Sequence, residues 1–185
     1  FSTQKTMRIA QQLYEGVEVE GRGTIALITY LRTDSTRVAD EADAAARAYI
    51  RENYGEAYVA AERKEKQGGQ KIQDAHEAIR PIDITLTPAT VKASLSRDQF
   101  RLYQLIWKRF AAGRMQEAVY ASTSVKLVCG EHRFSLSGSS LKFSGFMEVY
   151  SDSEEEEEEK PDAALLKLSE GEELVLEGFD KERHF

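Results

Sequence analysis

Tyr30 and Arg32 stand two residues apart at the end of an apolar run, Gly23-Thr24-Ile25-Ala26-Leu27-Ile28-Thr29-Tyr30-Leu31-Arg32, and a cluster of small polar residues, Thr33-Asp34-Ser35-Thr36, follows. In a strand, side chains alternate, so the two project from one face. A phenol beside a guanidinium that is always charged suits one chemistry well: a tyrosine oxygen attacks a phosphodiester while the arginine holds the phosphate. A free phenol has a pKa of about 10, so attack at neutral pH needs a neighbouring cation or base. Arg32 supplies the cation, with Arg37 a second one nearby in sequence. The competing reading is an ordinary aromatic on a half-buried strand face, since tyrosine is common in strands.

His76 and Arg80 form a second pair. They are four residues apart and would share one face of a helical turn, either binding phosphate or sitting as a surface histidine beside a helix-ending arginine. Other chemistries lack their residues. His76, His132 and His184 are far apart, and no Cys/His spacing matches a zinc site. No loop has a calcium-site pattern, Gly68-Gly69 is not followed by the Gly-Lys-Ser/Thr of a phosphate loop, and no G-x-S-x-G elbow of a serine hydrolase occurs. The single cysteine, Cys129, excludes an internal disulfide and fits a reducing compartment. It reads as a small core or turn residue at the end of a strand.

The elements that must position these groups follow from periodicity. Residues 3–15 read as a helix with Ser2 as N-cap and a stripe of Met7, Ala10, Gln11 and Tyr14. Val17-Glu18-Val19-Glu20 alternates into a turn at Gly21-Arg22-Gly23, and a strand over 24–31 carries Tyr30. Asp40 is expected to cap a helix over 41–53, closed by Tyr54-Gly55. Residues 56–72 read as a charged surface loop, and residues 74–81 as a short helical turn ended by Pro81. Thr87-Pro88 opens a short helix. Ser96 opens a longer one over 97–112, with Phe100, Tyr103, Leu105, Ile106, Trp107 and Phe110 as core candidates. Residues 117–149 alternate like an antiparallel meander with turns at Gly130 and near Ser137-Gly138-Ser139. Glu154 to Glu159 repel one another, so 151–160 reads as a solvated acidic loop. Leu165 to Leu168 and the strand-like Glu173-Leu174-Val175-Leu176-Glu177 resume ordered structure.

The expected fold class is therefore α+β. A mainly helical tyrosine-bearing domain occupies 1–116, and an incomplete β-rich segment occupies 117–185. The 185 residues suffice for one domain or two small ones, and 41% hydrophobic residues suffice for a core. No apolar run approaches the roughly 20 residues of a membrane helix, and the first residues lack the apolar stretch of a signal peptide. The formal charge of -7 hides an asymmetry. Residues 1–116 carry 18 Lys and Arg against 15 Asp and Glu, a net of +3, whereas residues 117–185 carry 7 against 17, a net of -10. The overall acidity therefore does not exclude nucleic acid as a partner of the first segment.

Four segments in order carry a family resemblance. Ile28-Thr29-Tyr30-Leu31-Arg32-Thr33-Asp34-Ser35-Thr36 closely resembles the active-site signature of type IA DNA topoisomerases, most like the bacterial members. Ala75-His76-Glu77-Ala78-Ile79-Arg80-Pro81 resembles their second signature. Residues 7–16 and 102–110 look like the helix before the first signature and a later family segment. The resemblance covers essentially all of residues 2–150.

It implies that Tyr30 is the nucleophile, attacking single-stranded DNA to form a 5′-phosphotyrosine bond and free a 3′-hydroxyl. Arg32 would stabilise the attacked phosphate, and His76, with Arg80 as a weaker candidate, would contact the DNA backbone. Strand passage and religation would then relax negative supercoils without ATP. The family's Toprim domain, with its magnesium-binding acidic residues and general-acid glutamate, has no equivalent here, nor has the segment that helps clamp the strand. The chain thus resembles an excised middle, a gate domain with part of a β-rich arch. It is expected to bind no metal itself, with Mg2+ held elsewhere in the full-length enzyme, and to be inactive alone in relaxation. Its expected setting is cytoplasmic and nucleoid-associated, with no membrane partner and monomeric in function. Any dimer of the isolated chain would arise from exposed edges normally covered. The alternative is a non-catalytic DNA-binding or structural module in which Tyr30 only packs or stacks.

Overall fold

The computed structural model describes residues 1–61, 77–150, 168–175 and 178. It is mixed α+β, as the sequence predicts. The chain divides into two compact units, Phe1–Val119 with Phe143–Glu154, and Tyr120–Lys142 with Glu155–Phe185.

The first unit is built on helices. Helix α1, Thr3–Glu15, starts at Ser2, whose side chain accepts from the backbone N–H of Lys5 at 3.3 Å. Its buried stripe is Ile9, Ala10 and Leu13, while Met7 and Tyr14 are exposed. The expected stripe was displaced because Ile9 and Leu13, four residues apart, supply the branched side chains that reach the core. Strands β1, Val17–Val19, and β2, Gly23–Ile25, pair antiparallel in the register Val17 to Ile25, and Gly21 and Gly23 make the turn at positive φ. The ladder stops at Ile25, so the strand expected over 24–31 is shorter than its apolar run. Beyond it the chain leaves the sheet and bonds to other segments.

Helix α2, Asp40–Tyr54, has Ala39 as its N-cap with no side-chain cap bond. The expectation that Asp40 caps it is corrected: Asp40 is the first helical residue. With Glu41 and Asp43 it places three acids on the positive end of the helix dipole. A 3₁₀ turn, Glu56–Tyr58, follows. Residues 77–81 are not helical, correcting the turn expected to end at Pro81. The residue before a proline is driven toward extended backbone, and Pro81 forms an antiparallel bridge with Ile28. Helix α3, Pro88–Val91, has the expected Thr87 cap. Helix α4, Arg97–Ala112, opens with a complete capping box of Ser96 and Gln99.

The core lies where α1, α3 and α4 pack together, with Leu13, Leu27, Ile28, Ile50, Val91 and Tyr103 fully buried. Two core aromatics keep their polar ends satisfied by the loop before α3: Tyr103 donates to the Leu86 carbonyl at 2.6 Å and Trp107 Nε1 to the Ile84 carbonyl at 2.9 Å. Each bond removes a desolvation penalty of about 1–3 kcal/mol for an unpaired group. Leu105, expected in the core, is exposed.

In the second unit, β3, Val119–Cys129, and β4, His132–Phe143, form a two-stranded antiparallel ribbon. Their outermost residues, Val119 and Phe143, belong to the first unit. The chain reverses once, at Gly130 with φ near +60°. The second turn expected near Ser137-Gly138-Ser139 is absent, since Gly138 is not at positive φ and lies inside β4. Cys129 is exposed at the hairpin end. A short helix in the first unit, α5, Met147–Tyr150, packs on α4. Residues 173–175 form no strand. The acidic run 154–159 and most of the charged loop expected over 56–72 lie outside the described residues. Among the described residues no helix is long and apolar enough to cross a membrane.

Candidate functional site

The segment after β2 is held from both sides by backbone. Leu27 donates to the Leu13 carbonyl at the end of α1 at 2.8 Å, and Ile82 donates to the Leu27 carbonyl at 3.0 Å. Thr29 donates to the Arg80 carbonyl at 3.0 Å. The Thr29 hydroxyl adds a second tie, accepting from the Arg80 N–H at 2.9 Å and donating to the Ala78 carbonyl at 2.8 Å. Residue 30 is therefore presented by a strip of chain whose preceding residues have no freedom to slide.

Beyond this anchor the side chains alternate. Leu31 is buried in an apolar groove with Met7, Ala10, Leu102 and Ile106. Tyr30 and Arg32, on either side of it, both reach solvent, Tyr30 at 46% exposure. The segment that carries them is outside a sheet and bends at Leu31 and Arg32. Among the described residues, neither the Tyr30 hydroxyl nor the Arg32 guanidinium has a hydrogen-bond partner. The Tyr30 ring meets the ring of Tyr14, 5.4 Å away between centroids.

The polar cluster after Arg32 has a structural use. Thr33 Oγ1 accepts from the Ser35 N–H at 3.0 Å, and Ser35 Oγ accepts from the Arg37 N–H at 3.2 Å. Such turns by small hydroxyl residues satisfy backbone donors in an irregular segment, and Ser35 is itself buried.

Glu77 of the second signature ties that segment to the start of α2. Its Oε1 accepts from the Ala39 N–H at 2.6 Å and its Oε2 from Arg80 Nη2 at 2.8 Å. Ala78 donates to the Arg37 carbonyl at 2.8 Å. Arg80, proposed from sequence as a DNA contact, is placed inward: its side chain is 12% exposed, and Nη1 also donates to the Pro81 carbonyl at 2.9 Å. His76 lies outside the described residues, so its pairing with Arg80 is not seen. Thr29, Glu77 and Tyr14 did not stand out in the sequence as site residues. Only the position of Thr29 and Glu77 within the two signature segments could have flagged them.

Other tyrosines differ from Tyr30 in setting. Burial pushes the phenols of Tyr49 and Tyr54 above their ordinary pKa, and it pushes Tyr103 far above, with Asp83 adding to the effect. These rings serve packing. Among the described residues no three His, Cys, Asp or Glu side chains come together as a metal site.

The arrangement is an exposed phenol and guanidinium on an anchored strip. A family profile described as DNA topoisomerase matches residues 1–185. The chain belongs to the type IA DNA topoisomerases, a family of isomerases. Among solved structures it is similar to full-length topoisomerase I from Thermotoga maritima, with 42% identity and a TM-score of 0.69 over 88% of this chain. This chain spans 26% of that protein's length.

Proposed function

We propose that this chain carries the nucleophile of a topoisomerase reaction on single-stranded DNA, and that Tyr30 is that nucleophile. The observation that carries the reading is the exposure of Tyr30 and Arg32 on either side of buried Leu31. A tyrosine of the core, such as Tyr103, is instead buried with its hydroxyl bonded to a carbonyl. The phenol oxygen of Tyr30 attacks phosphorus, the bond from phosphorus to the 3′-oxygen breaks, and a 5′-phosphotyrosine forms. The phenol proton leaves to solvent or a base, and the departing 3′-oxygen takes a proton from an acid outside this chain. Arg32 balances the charge that builds on the non-bridging oxygens. Reversal, with the 3′-hydroxyl as attacking group, restores the backbone without ATP, because the covalent bond keeps the energy of the one it replaced. Passage of another strand through the gap relaxes negative supercoils.

His76 is proposed to contact the DNA backbone near the break. Arg80 retains a place in the same proposal, acting through the segment it braces. The described residues do not fit a magnesium site, since no three acidic side chains come together among them. The ion is expected on the acidic domain that, with a strand-clamping segment, would complete the enzyme. A cytoplasmic, nucleoid-associated setting accompanies a chromosomal substrate.

Trapping the covalent adduct of the complete enzyme on a labelled single-stranded oligonucleotide, then mapping the modified peptide, should locate the DNA on Tyr30. An adduct on any other residue would sink the reading. The chain alone, mixed with supercoiled plasmid and Mg2+, is expected to leave the topoisomer ladder unchanged, and robust relaxation would show that it needs no further domain.

A further inference from the structure

Tyr14 touches the proposed nucleophile and has no role in the chemistry above. Its ring meets that of Tyr30 at a centroid distance of 5.4 Å with planes at 65°, edge to face. In this geometry the positive edge of one ring meets the negative face of the other. Both rings are substantially exposed, Tyr14 at 37%, so burial alone does not bring them together. The backbone does. Tyr14 is the penultimate residue of α1, and its neighbour Leu13 accepts the Leu27 N–H at 2.8 Å, with both leucines fully buried. The helix ends at Gly16, φ 122°, where a side chain would be strained and would meet Thr24 at 3.0 Å. The end of α1 is thereby fixed to the strip that presents Tyr30.

We propose that Tyr14 is a positioning residue for Tyr30, a reading that rests on Tyr30 being the nucleophile. An exposed tyrosine otherwise samples several staggered wells, and only one well directs its oxygen at a given phosphorus. The edge-to-face contact with Tyr14 favours the well in which it forms and so limits the others open to the Tyr30 ring. The ring is what the contact uses, so the Tyr14 hydroxyl is dispensable.

The test is single-turnover cleavage of a labelled single-stranded oligonucleotide by the complete enzyme with Mg2+, alongside binding of the same oligonucleotide. Tyr14→Ala should slow cleavage about ten-fold, equivalent to about 1.4 kcal/mol of barrier, with unchanged affinity. Tyr14→Phe should restore the wild-type rate, and Tyr14→Leu, which keeps bulk and helix propensity without a ring, should remain slow. Should Tyr14→Ala melt early, Tyr14→Leu carries the comparison. Wild-type cleavage by the variants lacking the ring overturns the proposal. So does a Tyr14→Phe as slow as Tyr14→Ala, or a loss of affinity that accounts for the slower rate, which would make Tyr14 a base-stacking contact instead. An adduct that survives in Tyr30→Phe defeats the underlying reading, whereas normal adducts on Tyr30 in every Tyr14 variant at the wild-type rate defeat only this one.

Discussion

Tyr30→Phe in the complete enzyme is expected to abolish the covalent adduct and relaxation while leaving binding of single-stranded DNA within about two-fold of wild type. The substitution removes one oxygen. The ring stays, and so does its edge-to-face contact with Tyr14. No hydrogen bond among the described residues is broken, because the hydroxyl makes none there. Fold stability should therefore change by no more than about 0.5 kcal/mol, as for ordinary surface substitutions. Catalysis has no such tolerance. Without a nucleophile there is no covalent intermediate, and losses on the order of 10⁴-fold or more accompany removal of an attacking group. Denaturing gels that score labelled adduct read the loss directly, and a melting curve verifies that the variant is folded. Persistent adduct in the folded variant would move the nucleophile elsewhere. Unchanged adduct levels would also revive the reading of Tyr30 as a stacking or packing residue.

What was legible in the sequence tracks how local the determining physics is. Helix α4 is legible to the residue because its start is written in a capping box and its end in Gly113. The Thr87-Pro88 start of α3 was legible for the same reason. The Tyr30 strip reads as a strand because its apolar alternation is genuine, and Leu31 is indeed buried while Tyr30 and Arg32 are exposed. What it could not reveal is the partner. The strip bonds to Leu13, Arg80 and Ile82, residues up to about fifty positions away, and no local pattern encodes that choice. Asp40 is not the cap because the cap position falls one residue earlier, at Ala39, whose own N–H is taken by Glu77 from another segment. Gly138 looked like a turn in composition, yet glycine in a strand without positive φ is backbone of an ordinary ribbon. The site followed the same division. Its chemistry, a phenol two residues from a guanidinium, was visible in spacing, while the residues that brace it from a distance, Thr29 and Glu77, and the ring of Tyr14 were not.

Glu77→Ala should be among the most damaging substitutions in the described structure. The carboxylate joins two segments at once, accepting the Ala39 N–H ahead of α2 and pairing with Arg80. The pair is largely removed from water, with Arg80 12% and Glu77 21% exposed. Truncation leaves a guanidinium in that setting without its counter-charge and a backbone donor without its acceptor. Breaking one half of a buried pair costs about 3–5 kcal/mol, and the residual exposure puts this one near the lower end. For a unit of this size about 3 kcal/mol lowers the melting temperature by on the order of 10 °C. Glu77→Gln keeps an oxygen for Ala39 but loses the charge facing Arg80, so it should fall between wild type and Glu77→Ala. The decisive variant is the double one, Glu77→Ala with Arg80→Ala. Removing the orphaned charge should recover part of the stability lost in Glu77→Ala, since much of that loss is desolvation without a partner. Additive losses in the cycle, or a melting temperature for Glu77→Ala within about 1 °C of wild type, which is under about 0.5 kcal/mol, would mean that the backbone bonds of Thr29 and Ala78 hold the strip by themselves. Recovery of stability in the double variant without recovery of cleavage would show a second consequence: the strip that presents Tyr30 needs the brace for its geometry as well as for its folding.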